Sequence, residues 1–542
     1  KVLLQKPLLL AILLPLVTSF QEPDAAVLRA LESISQEEIT ETVEYLASPA
    51  FEGRDSPSVG LSLTARFIAE KYGEYGLVPA KDASKVQKKF KKSYAPYLPE
   101  MEEGDAKRSS SKKDIYLRPW KRPMVAPVPR GCSLSAKGVS AKFEYGEDFV
   151  PVMFSEGTAS GALVFVGFGR ESDIDGAALK GKIALFYEGE PRRGSGRTSD
   201  ASADASLWKK LTALKKAGAS GALAIRRPPP KTGGEEEAPK VPLAYRFSLA
   251  EFNAQSGRRE DPPRKMLPVL IVSEAAAVEL SGLDLLEIVS SMDGGVNPDA
   301  RELEVRVAMK VKTELQDCLH DNVVGYVKGT DSKLAKKYIV VGAHYDHIGG
   351  GPRGRIGYGA DDNASGTSAL LQLARAVAEN PLKRSVYFVA FSAEEDGLLG
   401  SKAFCRNMPI ADKDLVFMLN LDMIGRGPTD EVVVLGLAQN PKMEKVLDRA
   451  LALSPTGIKE YQDCRDGGLF TRSDHYSFHQ EIGCATLFFF ENYPVARNSD
   501  YHTWRDLPAL VNMEKIRNTA RLAFNTLWIV GNDSKSPARA KR

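Results

Sequence analysis

The sequence predicts an α/β protein: a mixed, largely parallel sheet flanked by helices, with a separate β-rich unit inserted ahead of it. Three observations carry this expectation. From Asn322 onward, apolar runs such as "YIVVGAH", "SVYFVAF", "LVFMLNL", "EVVVLG" and "CATLFFF" alternate with helical segments. Such runs mark strands buried on both faces, and their alternation with helices marks crossover connections. Between 157 and 305 the texture changes to short strands, "ALVFVGFG", "KIALFYEG", "GALAI" and "PVLIVS", separated by Gly-rich turns. The length, 542 residues, exceeds what one compact core usually covers.

Taken in order, residues 1–20 carry an apolar run from Pro7 to Val17 flanked by Lys1 and Lys6, with Ser19 as a small residue for cleavage. This reads as an export signal, since the run is shorter than the roughly 20 residues needed to span a bilayer. An uncleaved N-terminal anchor is the alternative. Residues 26–156 are assigned to the first part of the main unit. Between Ala26 and Leu77 the helical spacing of Ile39, Val43 and Leu46, then Phe67, Ile68 and Tyr72, predicts two helices. The loop "LASPAFEGRDSPSVG" joins them. Residues 81–121, rich in Lys, Ser and Glu, are expected to be a flexible surface insertion, with a basic binding arm as the functional alternative.

The β-rich unit, 157–305, contains one expected helix at Leu207–Ala217 and a loop from Arg226 to Lys240. The main unit resumes over 318–531. Its helices are expected at 366–379, 442–453 and 513–529, the first presenting Leu370, Leu373, Ala374 and Val377 to the sheet. Residues 532–542 are left as a flexible tail.

Bulk composition narrows function little. At 43% hydrophobic and 26% charged residues the chain is an ordinary globular protein. A net charge of +3 gives no field that argues for nucleic acid or an acidic membrane surface. The five cysteines, Cys132, Cys318, Cys405, Cys464 and Cys484, form no C-x-x-C pair. Cys464 and Cys484 could pair in an oxidising compartment, though buried free thiols are the plainer reading.

The chemistry lies at the carboxyl ends of the expected strands, where open α/β sheets bind ligands. His344 and Asp346 follow one strand, Glu394 and Glu395 the next, and Asp422 a third. Asp361 and Asp362 precede a helix, and His502 lies beyond the strand "CATLFFF". Singly, each has a bland explanation: an Asp before a helix caps it, and a Glu pair is often a solvated face. Jointly, His344, Asp362, Glu395, Asp422 and His502 offer two imidazoles and three carboxylates, which suits zinc better than the all-oxygen shells of calcium or magnesium. Two ions fit that count if one carboxylate bridges them.

The strings "VVGAHYDHIG", "GADDNASG", "FSAEEDGLLGS", "LNLDMIGR" and "SDYHTWRD" resemble, in order, the metal motifs of the bacterial leucyl aminopeptidase and glutamate carboxypeptidase family of zinc exopeptidases (MH clan). The resemblance extends to "YLASPAFEGRDSPSVG" and, through "LKKAGASGALAI" and "LPVLIVS", to an inserted protease-associated domain. It implies a phosphorylase/hydrolase-like sheet and two zinc ions per chain. His344 and Asp422 would hold one, Glu395 and His502 the other, and Asp362 would bridge. It further implies Glu394 as general base, Asp346 orienting His344, and Tyr501 donating to the oxyanion. Arg472, Ser473 and Asp474 match a substrate-side segment of some members, and the Asp362–Asn363 peptide is expected to be cis. His347 and His475 fall outside the first shell in the family pattern. The implied substrates are peptides, with no nucleic acid and no stable membrane insertion after signal cleavage, in the periplasm or outside the cell.

Two other enzymes share these features. A single-zinc glutaminyl cyclase would not need His344, and a carboxypeptidase would need several Arg to clamp carboxylates. Only Arg472, Arg497 and Arg505 lie near the motifs, so aminopeptidase is the leading expectation. A non-catalytic scaffold would have lost ligands, and none is lost here.

Overall fold

A computed structural model describes residues 24–80, 114–152, 155–188, 191, 207–225, 266–296, 299–350, 356–491 and 498–540. The expected signal segment and the loop from Arg226 to Lys240 lie outside these residues.

Three helices open the described chain, not the two expected: α1 (Ala25–Ser33), α2 (Gln36–Leu46) and α3 (Val59–Glu74). The first two part because Ile34 leaves helical geometry and the Ser35 hydroxyl caps the next helix by accepting from the Glu38 amide. The short strand β1 (Val78–Pro79) follows. Residues 81–113 of the expected insertion lie outside the described residues. Its end is not an irregular surface segment, because β2 (Leu117–Pro127) begins inside it.

The inserted unit is a seven-stranded sheet in the order β3-β9-β5-β6-β7-β8-β4. Its strands are β3 (Ser133–Lys137), β4 (Phe149–Pro151), β5 (Gly157–Phe165), β6 (Ile183–Tyr187), β7 (Gly221–Ile225), β8 (Val269–Val272) and β9 (Arg301–Val311). The helix α4 (Leu207–Lys216) lies where the sequence suggested, and α5 (Glu274–Ser281) and α6 (Leu285–Asp293) follow β8. After one residue, Lys312, the chain enters β10 (Thr313–Val327), which leaves this unit for the main sheet. There β10 pairs along β2 from Thr313↔Pro127 to Val323↔Leu117 and along β14 (Ser385–Phe391) from Val323↔Ala390 to Val327↔Val386.

The main sheet has nine strands. Its central four, β14, β11 (Tyr338–His344), β15 (Leu415–Leu421) and β18 (Ala485–Phe490), run parallel, and each is buried at every residue. Such burial on both faces is why these runs are continuously apolar. β10 borders them antiparallel on one side. On the other, β16 (Glu431–Leu435) is antiparallel to β18 and parallel to β17 (Glu460–Cys464). A small ribbon, β12 (Gly349–Gly350) with β13 (Ile356–Gly357), sits beyond β11.

Helix α7 (Gly366–Glu379) buries Leu370, Leu373, Ala374 and Val377 completely. Flanking helices α8 (Leu399–Arg406), α9 (Glu444–Leu453) and α10 (Met513–Asn532) complete the layers. Residues 533–540, expected as a loose tail, are tied down: Arg539 donates to the carbonyls of Ile482 and Asp412. Cys464 and Cys484 are not paired. Both are free thiols, buried in separate apolar clusters. No described helix is long and apolar enough to cross a membrane.

Candidate metal centre

The parallel strands end together, and their exits bring the predicted side chains into one cluster. His344 is the last residue of β11, and its ring is fixed from both sides. Nδ1 lies 3.2 Å from the Asp346 carbonyl oxygen, and Nε2 lies 3.2 Å from Asp422 Oδ1 and 3.4 Å from Asp362 Oδ1. The Asp346 carboxylate stands 3.7 Å from Nδ1, and its hydrogen bonds go elsewhere. It accepts from the amides of Glu394 and Glu395 at 3.1 and 3.2 Å, so it orients the Glu pair as much as the histidine.

Asp362 faces both ways. Its Oδ2 lies 3.2 Å from His502 Nε2, opposite the oxygen that meets His344. The main chain here is held by the buried Asp506 carboxylate, which accepts from the amides of Asp361 and Asp362 at 3.0 Å. The Asp362–Asn363 peptide is cis. The neighbouring Asp361 turns away and accepts from the Gly425 amide, so of the adjacent pair only Asp362 enters the cluster.

Glu395 joins this side, with Oε2 2.8 Å from His502 Nε2. His347, expected outside, comes in: its Nδ1 lies 2.9 Å from Glu395 Oε1 and 3.6 Å from Asp362 Oδ2. A signal existed in its position three residues after His344, just past the strand end. Asp422 closes the other side, held by the Ser473 hydroxyl at 2.6 Å.

The side chains thus form two groups whose donor atoms lie within 4.8 Å of one another: His347, Asp362, Glu395 and His502, and His344, Glu394 and Asp422. Strain concentrates here. Among the described residues six non-glycine residues have positive φ: Glu52, Arg54, Ala393, Leu398, Met423 and His502. Ala393 and Leu398 flank the Glu pair, Met423 follows Asp422, and His502 is itself in the cluster. Such conformations persist where the surroundings over-determine them, commonly at functional sites.

Electrostatics separate the two glutamates. Burial pushes the Glu394 carboxyl well above the usual range, Glu395, Asp422 and Asp474 add to this, and only His344 opposes. Burial acts on Glu395 in the same sense, yet His502 and His347 outweigh it and hold that carboxyl well below the usual range. Burial also raises Asp362, reinforced by Glu395. His502 is penalised by burial but pushed up to about 11 by Glu395 and Asp362. Crowded carboxylates facing imidazoles are the donor set a zinc-like cation would neutralise and complete.

The substrate-side residues divide. Tyr501 stacks on His502 with ring centroids 3.9 Å apart, and its hydroxyl accepts from Arg472 at 2.8 Å. Asp474 is 0% exposed, and burial, with His344 opposing, raises its pKa to about 7. Arg505 is engaged with Asp500, and Arg497 lies outside the described residues. His475 is packed between Phe488 and Phe470 and takes no part in the cluster.

A sheet whose parallel strand ends gather histidines and carboxylates defines the class: an α/β protein with a candidate metal-binding cluster at its strand ends. Residues 322–527 match the profile of Peptidase family M28. Among its relatives is "Aminopeptidase YwaD" of Bacillus subtilis, 28% identical over 228 residues, 41% of this chain and 47% of that protein. Another is "Glutamate carboxypeptidase 2 homolog" of Caenorhabditis elegans, 25% identical over 467 residues, 74% of this chain and 56% of that one. The chain therefore spans about half the length of these curated relatives. A solved zinc aminopeptidase from Bacillus subtilis aligns over 93% of this chain and 97% of its own, with 19% identity and a TM-score of 0.48.

Proposed function

We propose that the chain is an exported metallo-aminopeptidase that binds two zinc ions and releases residues from the N-terminus of peptides. The observation that carries this reading is the division of the Asp362 carboxylate, one oxygen 3.4 Å from His344 and the other 3.2 Å from His502. A single carboxylate between two imidazole-containing groups is what a bridging ligand needs. His344 and Asp422 would hold one ion, and Glu395 and His502 the other, with His347 within reach of the latter. When bound, zinc supplies Lewis acidity toward a carbonyl oxygen and acidifies water.

The chain's own groups divide the remaining work. Glu394, in its ionised form, takes a proton from the attacking water and returns it to the leaving amine; burial, which raises this carboxyl, makes it the more basic of the adjacent pair. Asp346 fixes the Glu394–Glu395 turn through two amides. The Tyr501 hydroxyl, aimed by Arg472, donates to the oxygen that gains charge. The β-rich insert is read as a protease-associated domain that walls the cleft, and residues 1–20 as a signal peptide directing the chain to the periplasm or beyond the cell.

Aminopeptidase is preferred over carboxypeptidase because a C-terminal carboxylate needs converging Arg side chains. Of those near the motifs, Arg505 is committed to Asp500 and Arg472 to Tyr501. A panel of free and N-blocked peptides tests this. Free N-termini should be cleaved and blocked ones resist; stepwise release from the C-terminus of blocked peptides would overturn the assignment.

A further inference from the structure

We infer that Arg54 is a positioning residue for the metal cluster, its buried guanidinium tying together the two backbone segments that deliver His344, Asp346 and His347 on one side and Asp362 on the other. The inference rests on reading that cluster as a metal centre. Arg54 is 0% exposed although it is among the largest side chains in the protein. Its Nε donates to the Tyr345 carbonyl at 2.9 Å, Nη1 to those of Leu46 and Tyr358 at 2.5 and 2.8 Å, and Nη2 to that of Gly359 at 2.8 Å. All four partners are main-chain carbonyls. Tyr345 stands between His344 and Asp346, Tyr358 and Gly359 lead into Asp361 and Asp362, and Leu46 ends α2. One planar fork therefore joins three backbone segments, at Leu46, at Tyr345 and at Tyr358–Gly359.

The local chain is shaped for this. Glu52, Gly53 and Arg54 have φ of 50°, 72° and 56°, three successive left-handed residues of which two are not glycine. A Cβ on Gly53 would come within 2.1 Å of the Gly357 carbonyl oxygen, so the turn packs directly on the β12–β13 ribbon. The Arg54 carbonyl in turn accepts from the His347 amide at 3.3 Å. A Cβ on Gly359 would lie 2.7 Å from Arg54 Nη2, so glycine is what lets the guanidinium approach. Burial lowers the Arg54 pKa to about 10, against the pull of Asp506, Asp362, Asp346 and Glu395, which leaves it charged at neutral pH. A fixed cation thus lies beneath a carboxylate-rich cage without binding any substrate.

Arg54→Lys tests the inference, because it keeps the charge but replaces the five-donor fork with a compact ammonium. Zinc affinity, measured by chelator competition, should fall about 10- to 100-fold, the usual cost of losing an outer-shell support. kcat should fall more than KM rises, with the far-ultraviolet circular dichroism unchanged. Zinc affinity within twofold of wild type would overturn the inference, even with a lowered melting temperature, since a merely structural arginine moves stability alone. If Arg54→Lys does not fold, amide exchange on chelated wild-type protein decides. Residues 345–347 and 359–364 should remain protected without zinc, and fast exchange there would mean that Arg54 holds nothing in place. A wild-type chain that takes up no zinc would refute the metal-centre reading while leaving this exchange test intact.

Discussion

Glu394→Gln is expected to do two opposite things: remove turnover and stabilise the chelated protein. Donor atoms of Glu394, Asp422 and His344 lie within 4.8 Å of one another, and Glu394 is 8% exposed. Two like charges at that distance repel by about 3.5 kcal/mol at an effective dielectric constant of 20. Burial disfavours the ionised form most, Glu395 and Asp474 add further repulsion, and protonated His344 opposes them. Since the folded pKa lies above the unfolded value, this penalty is absent below the unfolded pKa and grows as pH rises past it. Glutamine should therefore gain stability in urea unfolding of the zinc-stripped protein at pH 7 and gain nothing at pH 4. With zinc restored, hydrolysis of an aminoacyl p-nitroanilide should fall about 10²- to 10⁴-fold, or about 2.7–5.5 kcal/mol of transition-state stabilisation. Full turnover would refute the general-base assignment, and a less stable stripped variant at pH 7 would refute the electrostatic argument.

Glu395→Ala should lower zinc content, read by metal analysis, because its two oxygens meet His347 and His502. Zinc loss in Glu394→Gln with retention in Glu395→Ala would reverse the two roles. His475, whose burial lowers its pKa from 6.5 to about 3, is neutral in the fold. The unfolded chain gains its proton first, so stability should fall as pH drops below about 6.5, by about 2 kcal/mol at pH 5. His475→Phe should flatten that part of the unfolding-versus-pH curve in chelated protein. Because Pro127 pairs with Thr313 at the end of the β2–β10 ribbon, residues 129–312 can be replaced by a short turn. The shortened protein should keep its zinc affinity and cleave long peptides faster relative to dipeptides; loss of zinc would place a ligand in the insert.

Legibility in the sequence followed burial. The runs Tyr338–His344, Ser385–Phe391 and Leu415–Leu421 are apolar because both faces of each strand are covered, and the expected strands coincide with them. The β2–β10 ribbon was hidden: β10 begins with Glu314, Asp317, His320 and Asp321, and β2 contains Pro119, Pro123 and Pro127. In the N-terminal region the two-helix expectation missed a break at Ile34 that only the Ser35 cap discloses. At the cluster, residue type and strand-end position pointed to His344, Asp362, Glu395, Asp422 and His502. His347 carries both signals, three residues past His344, and Arg54 carries neither, yet the placement of each depends on how separate loops meet: His347 against Glu395, and Arg54 against Tyr345, Tyr358 and Gly359.

The central claim is that Asp362 serves two ions at once. Zinc titrated into chelated wild-type protein, with stoichiometry read by metal analysis after gel filtration, tests it most directly. Two ions per chain are expected, with Asp362→Asn weakening both sites and His344→Ala weakening one. A wild-type protein that saturates with one ion, or an Asp362→Asn variant that still binds two with unchanged affinity, would contradict it.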